Sequence, residues 1–294
     1  MTDLTIVIPA YNEEKSLNEF LPEVIAHCEE KNYLLIVVND GSKDKTLQVL
    51  KCFEQKTSVL KIVSHKLNRG YGGAIKSGVR AAITKFMITI DADGQHYLED
   101  VDKLFHTIVE ENADMVIGNR GLHASSYYRT AGKWLIRKIA KILMPLKVKD
   151  INSGIKIYNT ELAKRYIKIC PNTMAYSDVI GLFFVSQRHL VLETPVKIRA
   201  RNSGKSTIST ATAFDTLKEI INIVVLFNPM RIFFPLSLIF FLGGLAWGLP
   251  IIWLGRGLSV GAMLFLTTGI LFFLLGLIAE QLSSVLKSQS ISSE

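Results

Sequence analysis

The chain has 294 residues, 49% of them apolar and 20% charged, with a mean hydropathy of +0.27. That balance excludes disorder, collagen-like repeats and an acidic solvating tail, and the length allows one large domain or a large domain with a smaller companion. Lys and Arg number 34 against 26 Asp and Glu, a net charge of +8, which points to an anionic partner: nucleic acid, phospholipid or a phosphorylated ligand.

From the N-terminus, Met1–Ala10 lack a basic stretch followed by an apolar one, so no cleavable signal peptide is expected and the N-terminal part is expected in the cytosol. Apolar, β-branched runs then stand at Leu4–Ile8, Leu34–Val38, Val59–Val63, Phe86–Ile90 and Met115–Ile117. Each leads into a polar or glycine-bearing turn and mostly a helix-like stretch, the pattern of βα units on a largely parallel sheet. Ligands of such sheets bind at the carboxyl ends of the strands. Polar residues gather there: Pro9-Ala10-Tyr11-Asn12-Glu13, Asn39-Asp40-Gly41-Ser42, Asp91-Ala92-Asp93-Gly94-Gln95 and Gly118-Asn119-Arg120. Cys28, Cys52 and Cys170 are far apart and odd in number, so neither a disulfide framework nor a zinc site is expected. The six histidines form no metal-ligand spacing, and only His96 lies beside the strand-end acids.

The C-terminal third changes character. No charged residue occurs from Ile232 to Gly255 or from Gly257 to Ala279, and Arg256 alone separates the two stretches. Each exceeds the roughly 20 residues that cross a bilayer core, which predicts a transmembrane hairpin with spans near 232–255 and 259–281 rather than two buried core helices. Lys218, Arg231 and Lys287 flank the outer ends, so the positive-inside rule places both ends in the cytosol. Phe214, Leu217, Ile220, Ile221, Val224 and Val225 recur at helical spacing before Pro229. They predict an amphipathic helix over 213–230, in the membrane interface or in the core of the globular part. Residues 284–294 are expected as a short polar tail, frayed from Ser288 on.

Asp91 and Asp93, two residues apart at a strand end, can reach one hard divalent cation or one sugar, and magnesium or manganese held there would neutralise a diphosphate. An Asp-x-Asp alone is weak, because turns are rich in aspartate. Its company is more specific: the Pro-Ala-Tyr-Asn-Glu-Glu strand end, Asn39-Asp40-Gly41-Ser42-Lys43-Asp44, and Asn68-Arg69-Gly70-Tyr71-Gly72-Gly73-Ala74. In this order the motifs resemble family-2 glycosyltransferases. The hairpin and the stretch Arg201-Asn202-Ser203-Gly204-Lys205-Ser206 bring the likeness closest to the polyprenyl-phosphate (dolichyl-phosphate) sugar transferases, over nearly the whole chain.

The resemblance implies a Rossmann-like, GT-A nucleotide-sugar-binding α/β domain over residues 1–212, followed by the hairpin within 231–283. It implies donor contacts from Pro9, Tyr11, Glu13, Asp40, Gly70, Gly73, Asp91, Ala92, Asp93, Gln95 and Lys205. The glycines would let the backbone approach the nucleotide. Asp91 would contact ribose or sugar, and Asp93 and Gln95 a Mg2+ or Mn2+ ion on the diphosphate. Acceptor-phosphate contacts would come from Arg120, Arg129, Ser153 and Arg201. Asp150 would orient the acceptor and Asp178 would stand where related enzymes keep a general base. Plainer roles are open to both: a turn aspartate for Asp150 and a helix N-cap for Asp178. Lys205 is either a lid over the diphosphate or a solvated loop residue.

The implied activity is inverting transfer of one hexose from a nucleotide-diphosphate sugar, of the UDP-glucose or GDP-mannose class, to polyprenyl phosphate at the cytosolic membrane face. A lipid monophosphate is already anionic near neutral pH, so positioning and stabilisation of the departing nucleotide can carry the rate. The alternatives are a polysaccharide-building or other-acceptor transferase and a silent membrane-tethered nucleotide-sugar binder. Against the first, Gln187-Arg188-His189 lacks the Gln-x-x-Arg-Trp pattern of processive synthases. A nucleic-acid partner is not expected, for want of an aromatic platform or recognition motif. Packing between copies through the hairpin is open. The charge has a location: residues 120–149 hold eight basic and no acidic residues, interleaved with apolar ones, and elsewhere 26 basic residues face 26 acidic. That segment suits an anionic membrane surface or a lipid phosphate.

Overall fold

A computed structural model describes residues 3–121, 148, 150–151, 153–199, 221–222, 224–257 and 259–291. The described residues up to 199 form one compact unit and those from 221 onward another.

In the first unit the chain runs β1 (Leu4–Ala10), α1 (Glu14–Lys31), β2 (Leu34–Asn39), α2 (Thr46–Glu54), β3 (Leu60–Ser64), α3 (Tyr71–Ala81), β4 (Phe86–Thr89), α4 (Leu98–Glu110) and β5 (Met115–Asn119). It continues with β6 (Lys156–Asn159), α5 (Thr160–Tyr166), α6 (Tyr176–Ser186) and β7 (Val191–Pro195). The seven strands stand in the order β3-β2-β1-β4-β6-β5-β7. All seven residues of β1 are buried, as a central strand covered on both faces requires. Leu4, Ile6 and Ile8 join Leu17, Leu21 and Val24 of α1 and Val101, Leu104 and Ile108 of α4 in the main core. Each such side chain contributes roughly 1.5–3 kcal/mol by leaving water.

The five strands expected from apolar runs are present, and β1 to β4 pair in parallel. The sheet is mixed, however, because β6 inserts between β4 and β5 antiparallel to both. Its four residues include a lysine and form no apolar run, so no periodicity announced it. Ile157 turns into the main core. On the opposite face Tyr158 lies 6.1 Å from the Phe184 ring of α6, and Lys156 is enclosed.

The second unit holds α7 (Met230–Trp253) and α8 (Val260–Ile291), of 24 and 32 residues. At about 1.5 Å per residue either spans a bilayer core of about 30 Å. They run antiparallel and approach through small residues: a Cβ on Gly248 would stand 3.0 Å from that of Ala262, and one on Gly269 2.9 Å from the Phe241 backbone nitrogen. Outward, Ile239, Leu242, Leu249, Leu264, Leu271 and Ile278 are exposed, an apolar surface suited to lipid. The tail expected from 284 is helical through Ile291, since no Gly or Pro interrupts it. Ser283 Oγ bonds to the Leu226 carbonyl, and Lys287 Nζ donates to that of Phe227 (2.9 Å). Of the helix expected over 213–230, residues 221–222 and 224–227 are described and helical, with Val224 and Phe227 buried.

Candidate active site

The loops after β1 and β2 are laced together. Asn12, in the left-handed region at φ 55°, accepts from the Lys43 N–H (2.8 Å) and donates its own N–H to Ser42 Oγ (3.0 Å). The Glu13 N–H donates to Thr46 Oγ1 (2.9 Å) and its carboxylate accepts from Ser16 Oγ (2.7 Å). Tyr11 beside them is exposed. Asp40 is buried, and its Oδ1 accepts from the Arg69 N–H at 2.9 Å and lies 2.6 Å from His65 Nδ1. His65 Nε2 lies 2.8 Å from Ser77 Oγ. With Nδ1–H donating to Asp40 and Nε2 accepting from the serine, every member is satisfied.

Asp91 stands two residues beyond β4. Its Oδ1 accepts from Tyr71 OH (3.0 Å) and its Oδ2 lies 3.5 Å from His96 Nε2. Burial pushes its carboxyl up, but contacts to His96 and Tyr71 and the charge of Arg120 outweigh that and hold it below the ordinary value. Burial and the same carboxylate push the Tyr71 hydroxyl well up, so it stays a donor. A Cβ on Gly154 would stand 2.2 Å from Asp91 Oδ2, so only glycine allows this placement. Asp93 Oδ1 accepts from the Gln95 N–H (3.2 Å) in a turn made by Gly94 at φ 70°. His96 is buried, with Nδ1 unpartnered among the described residues. The strand end is braced by the approach to residue 199: Ile198 bridges to His96, and the Arg199 N–H donates to the Gln95 carbonyl (2.9 Å).

Among the described residues no three His, Cys, Asp or Glu side chains cluster for a metal. Asp93, half-buried, and Gln95 offer hard oxygen donors, the chemistry magnesium and manganese take when substrate phosphates complete their shell. The donor set therefore fits such an ion.

Beyond β5, Arg120 grips Asp150 at three points: backbone N–H (3.0 Å), Nε (2.9 Å) and Nη2 (2.9 Å). The bonds to Asp150 raise the guanidinium further. Burial pushes the Asp150 carboxyl up, but Arg120 outweighs it and holds it low. Glu193 of β7 takes the Asp150 N–H (2.8 Å). Below the pair, Lys156 is fully enclosed, and its Nζ donates to the Ser177 carbonyl (2.8 Å) and contacts Ser177 Oγ, which donates to the Ser153 carbonyl (2.9 Å). Burial lowers the Lys156 ammonium to about 7; Asp178, Asp150 and Asp91 oppose the fall and Arg120 adds to it.

Residues 5–186, more than half the chain, match the family described as Glycosyl transferase family 2. The chain belongs to that family. Residues 228–285 match the family described as GtrB C-terminal hairpin, so this family-2 glycosyltransferase carries its catalytic domain and an apolar hairpin on one chain. An undecaprenyl-phosphate 4-deoxy-4-formamido-L-arabinose transferase of Edwardsiella ictaluri is 25% identical over 296 residues, 96% of this chain and 89% of that protein. A dolichyl-phosphate beta-glucosyltransferase of Dictyostelium discoideum is 30% identical over 182 residues, 55% of each chain. Among solved structures, glucosyl-3-phosphoglycerate synthase from Mycobacterium tuberculosis superposes with a TM-score of 0.60 at 18% identity, over 76% of this chain and 80% of that one, which shows a shared GT-A fold. The synthase has also been solved with Mn2+, uridine diphosphate and phosphoglyceric acid.

In this glycosyltransferase the strand ends bring Pro9, Tyr11 and Glu13 (β1) to the loop of Asp40 (β2), and Asp91 (β4) near Arg120 (β5), whose charge it feels. Arg129, Arg201 and Lys205, with most of the basic 120–149 segment, lie outside the described residues. Three of the expected site positions carry packing or hydrogen-bonding detail. The space that Gly70 and Gly72 leave open is filled by the backbone of Pro171–Thr173, with Asn172 O 2.5 Å from a Cβ on Gly70, and a Cβ on Gly73 would meet Arg69 Cβ at 2.8 Å. Glycine here is needed for packing within the protein. Ser153 is fully buried with Oγ turned to the Ile155 carbonyl (3.4 Å). Asp150 is neither a bare turn residue nor placed only for an acceptor, because its carboxylate orients Arg120. Asp178 lies in the first turn of α6, whose N-cap is Ala175. Sequence reasoning missed Tyr71, His65 and Lys156; for Lys156 the signal was one lysine flanked by isoleucines just after Ser153-Gly154.

Proposed function

We propose that this chain transfers a single hexose from a nucleotide-diphosphate sugar to polyprenyl phosphate at the cytosolic face of the membrane, with inversion and with Mg2+ or Mn2+. The observation that carries this is the alignment with the undecaprenyl-phosphate transferase, which extends through the hairpin to 96% of the chain.

Asp40, held by His65 and Arg69, offers a carboxylate for a base N–H, and the Tyr71–Asp91 pair faces the ribose or sugar. Asp93 and Gln95 would hold the ion, which when bound neutralises the diphosphate. Arg120, kept in one orientation by Asp150, meets the incoming phosphate. A phosphate oxygen forms the new bond to the anomeric carbon as the bond to the nucleotide diphosphate breaks, the electron pair leaving with the diphosphate. The nucleophile enters as an anion and gives up no proton, so Asp178 need not act as a base. Both ends of the hairpin face the cytosol, from Arg231 and Lys287 outside the spans against Arg256 in the turn.

The test is protein in vesicles with undecaprenyl phosphate and a panel of nucleotide sugars, reading released nucleotide and glycolipid together. Lipid-linked sugar in step with nucleotide release is expected, abolished in Asp93→Ala with the fold intact. Release without lipid product, or full activity in Asp93→Ala, refutes the acceptor or the metal assignment respectively.

A further inference from the structure

Lys156 is the one charged side chain carried into the sheet by β6, and β6 lies between the strands that lead to Asp91 and to Arg120. Enclosing an ammonium is costly unless it is paired and hydrogen-bonded, so its retention calls for a function. Its Nζ holds Ser177 at both the carbonyl and the hydroxyl, and that hydroxyl holds the Ser153 carbonyl. The Ser153 N–H in turn donates to the Asp150 carbonyl (3.1 Å), and Asp150 holds Arg120. One chain of contacts thus runs from the lysine to the Arg120 fork.

We propose that Lys156 is a positioning residue for the acceptor half of the site: it clamps the Ser153 loop to the first turn of α6 and supplies positive charge behind the place where the acceptor phosphate docks. This rests on the reading that the acceptor is a lipid phosphate. The charged groups acting on Lys156 are Asp178 on α6, Arg120 after β5, Asp150 on the loop before β6 and Asp91 after β4. Three carboxylates then stand against one guanidinium, so the lysine's proton halves the net negative charge that an arriving phosphate meets. Because burial brings its titration to about 7, the lysine's charge fades as the medium turns alkaline.

The experiment measures acceptor and donor KM separately, with undecaprenyl phosphate in vesicles, for the wild type and Lys156→Met at pH 6.5 and pH 9. The expected result is an acceptor KM raised at least fivefold in Lys156→Met at pH 6.5, an unchanged donor KM, and a smaller gap between the two proteins at pH 9, where the neutral amine keeps its bond to Ser177 but has lost its charge. An equal acceptor KM at pH 6.5, or the same loss at both pH values, overturns the proposal. Should Lys156→Met fail to fold, Ser177→Ala keeps the charge and cuts the bond to Ser153. A raised acceptor KM with donor KM unchanged then supports the clamp, and no change overturns it. A wild type that never glycosylates the lipid phosphate overturns the functional reading itself, which a normal wild type with an indifferent Lys156→Met does not.

Discussion

Gly154→Ala isolates the placement of Asp91. The added Cβ would stand 2.2 Å from Asp91 Oδ2 and 2.9 Å from its Cγ, where an unstrained contact needs about 3.2 Å or more, so the carboxylate must retreat by about 1 Å. Gly154 is not among the positive-φ residues, so its own backbone accepts alanine. The obstructing atom ends a short rotatable side chain, and the strain is released by swinging Asp91 off Tyr71, at a cost of about 1–2 kcal/mol for the weakened contact. Catalysis is less forgiving. A misplacement of about 1 Å at a substrate-positioning group costs roughly 100-fold, or about 2.7 kcal/mol of transition-state stabilisation. The assay pairs kcat/KM for glycolipid formation with a melting curve in the same detergent. A loss near 100-fold with Tm lowered by only a few degrees is expected. Wild-type kcat/KM in Gly154→Ala would refute the reasoning, because Asp91 would then tolerate displacement.

Other consequences are open to measurement. Lys156 binds its proton more weakly when folded, at about 7, than a free lysine does at about 10.4, so the unfolded chain holds the extra proton between those values. Its contribution to stability is therefore greatest above the unfolded value and is lost as pH falls through 7. Between pH 7 and 9 the wild type should gain roughly 2 kcal/mol on Lys156→Met in denaturant titrations. Arg120→Lys keeps the charge but loses the fork to Asp150. In a double-mutant cycle with Asp150→Asn the pair should couple by roughly 1 kcal/mol, a figure reduced by partial exposure, and additive single losses would refute the pairing. In the hairpin, Gly269→Leu places its Cβ 2.9 Å from the Phe241 nitrogen and 3.0 Å from the Ser237 carbonyl, backbone atoms that cannot swing aside. The α7–α8 pair should separate, seen as earlier proteolysis in detergent with donor binding retained.

Much of the fold was legible because its signals are local. β1 to β5 announce themselves as β-branched runs, and the hairpin as two charge-free stretches. β6 and β7 did not, because Lys-Ile-Tyr-Asn and Val-Leu-Glu-Thr-Pro carry polar residues whose burial depends on neighbours far along the chain. The same limit governs the site. Asp40, Asp91 and Asp93 are visible as strand-end acids, but what holds them is not: Tyr71 meets Asp91 across 20 residues, and His65 meets Asp40 across 25. The glycines at 70–73 were legible as special, while the segment that packs on Gly70 and Gly72 lies 100 residues later.

The reversed strand between β4 and β5 also has a metric consequence. Neighbouring strands stand about 4.8 Å apart, so Asp91 and Arg120 follow strands about 9.6 Å apart. On the proposed transfer of a single hexose, the sheet would set the width available to the group transferred. A longer sugar chain would have to be accommodated by the loops, because widening the gap would mean adding or removing a strand.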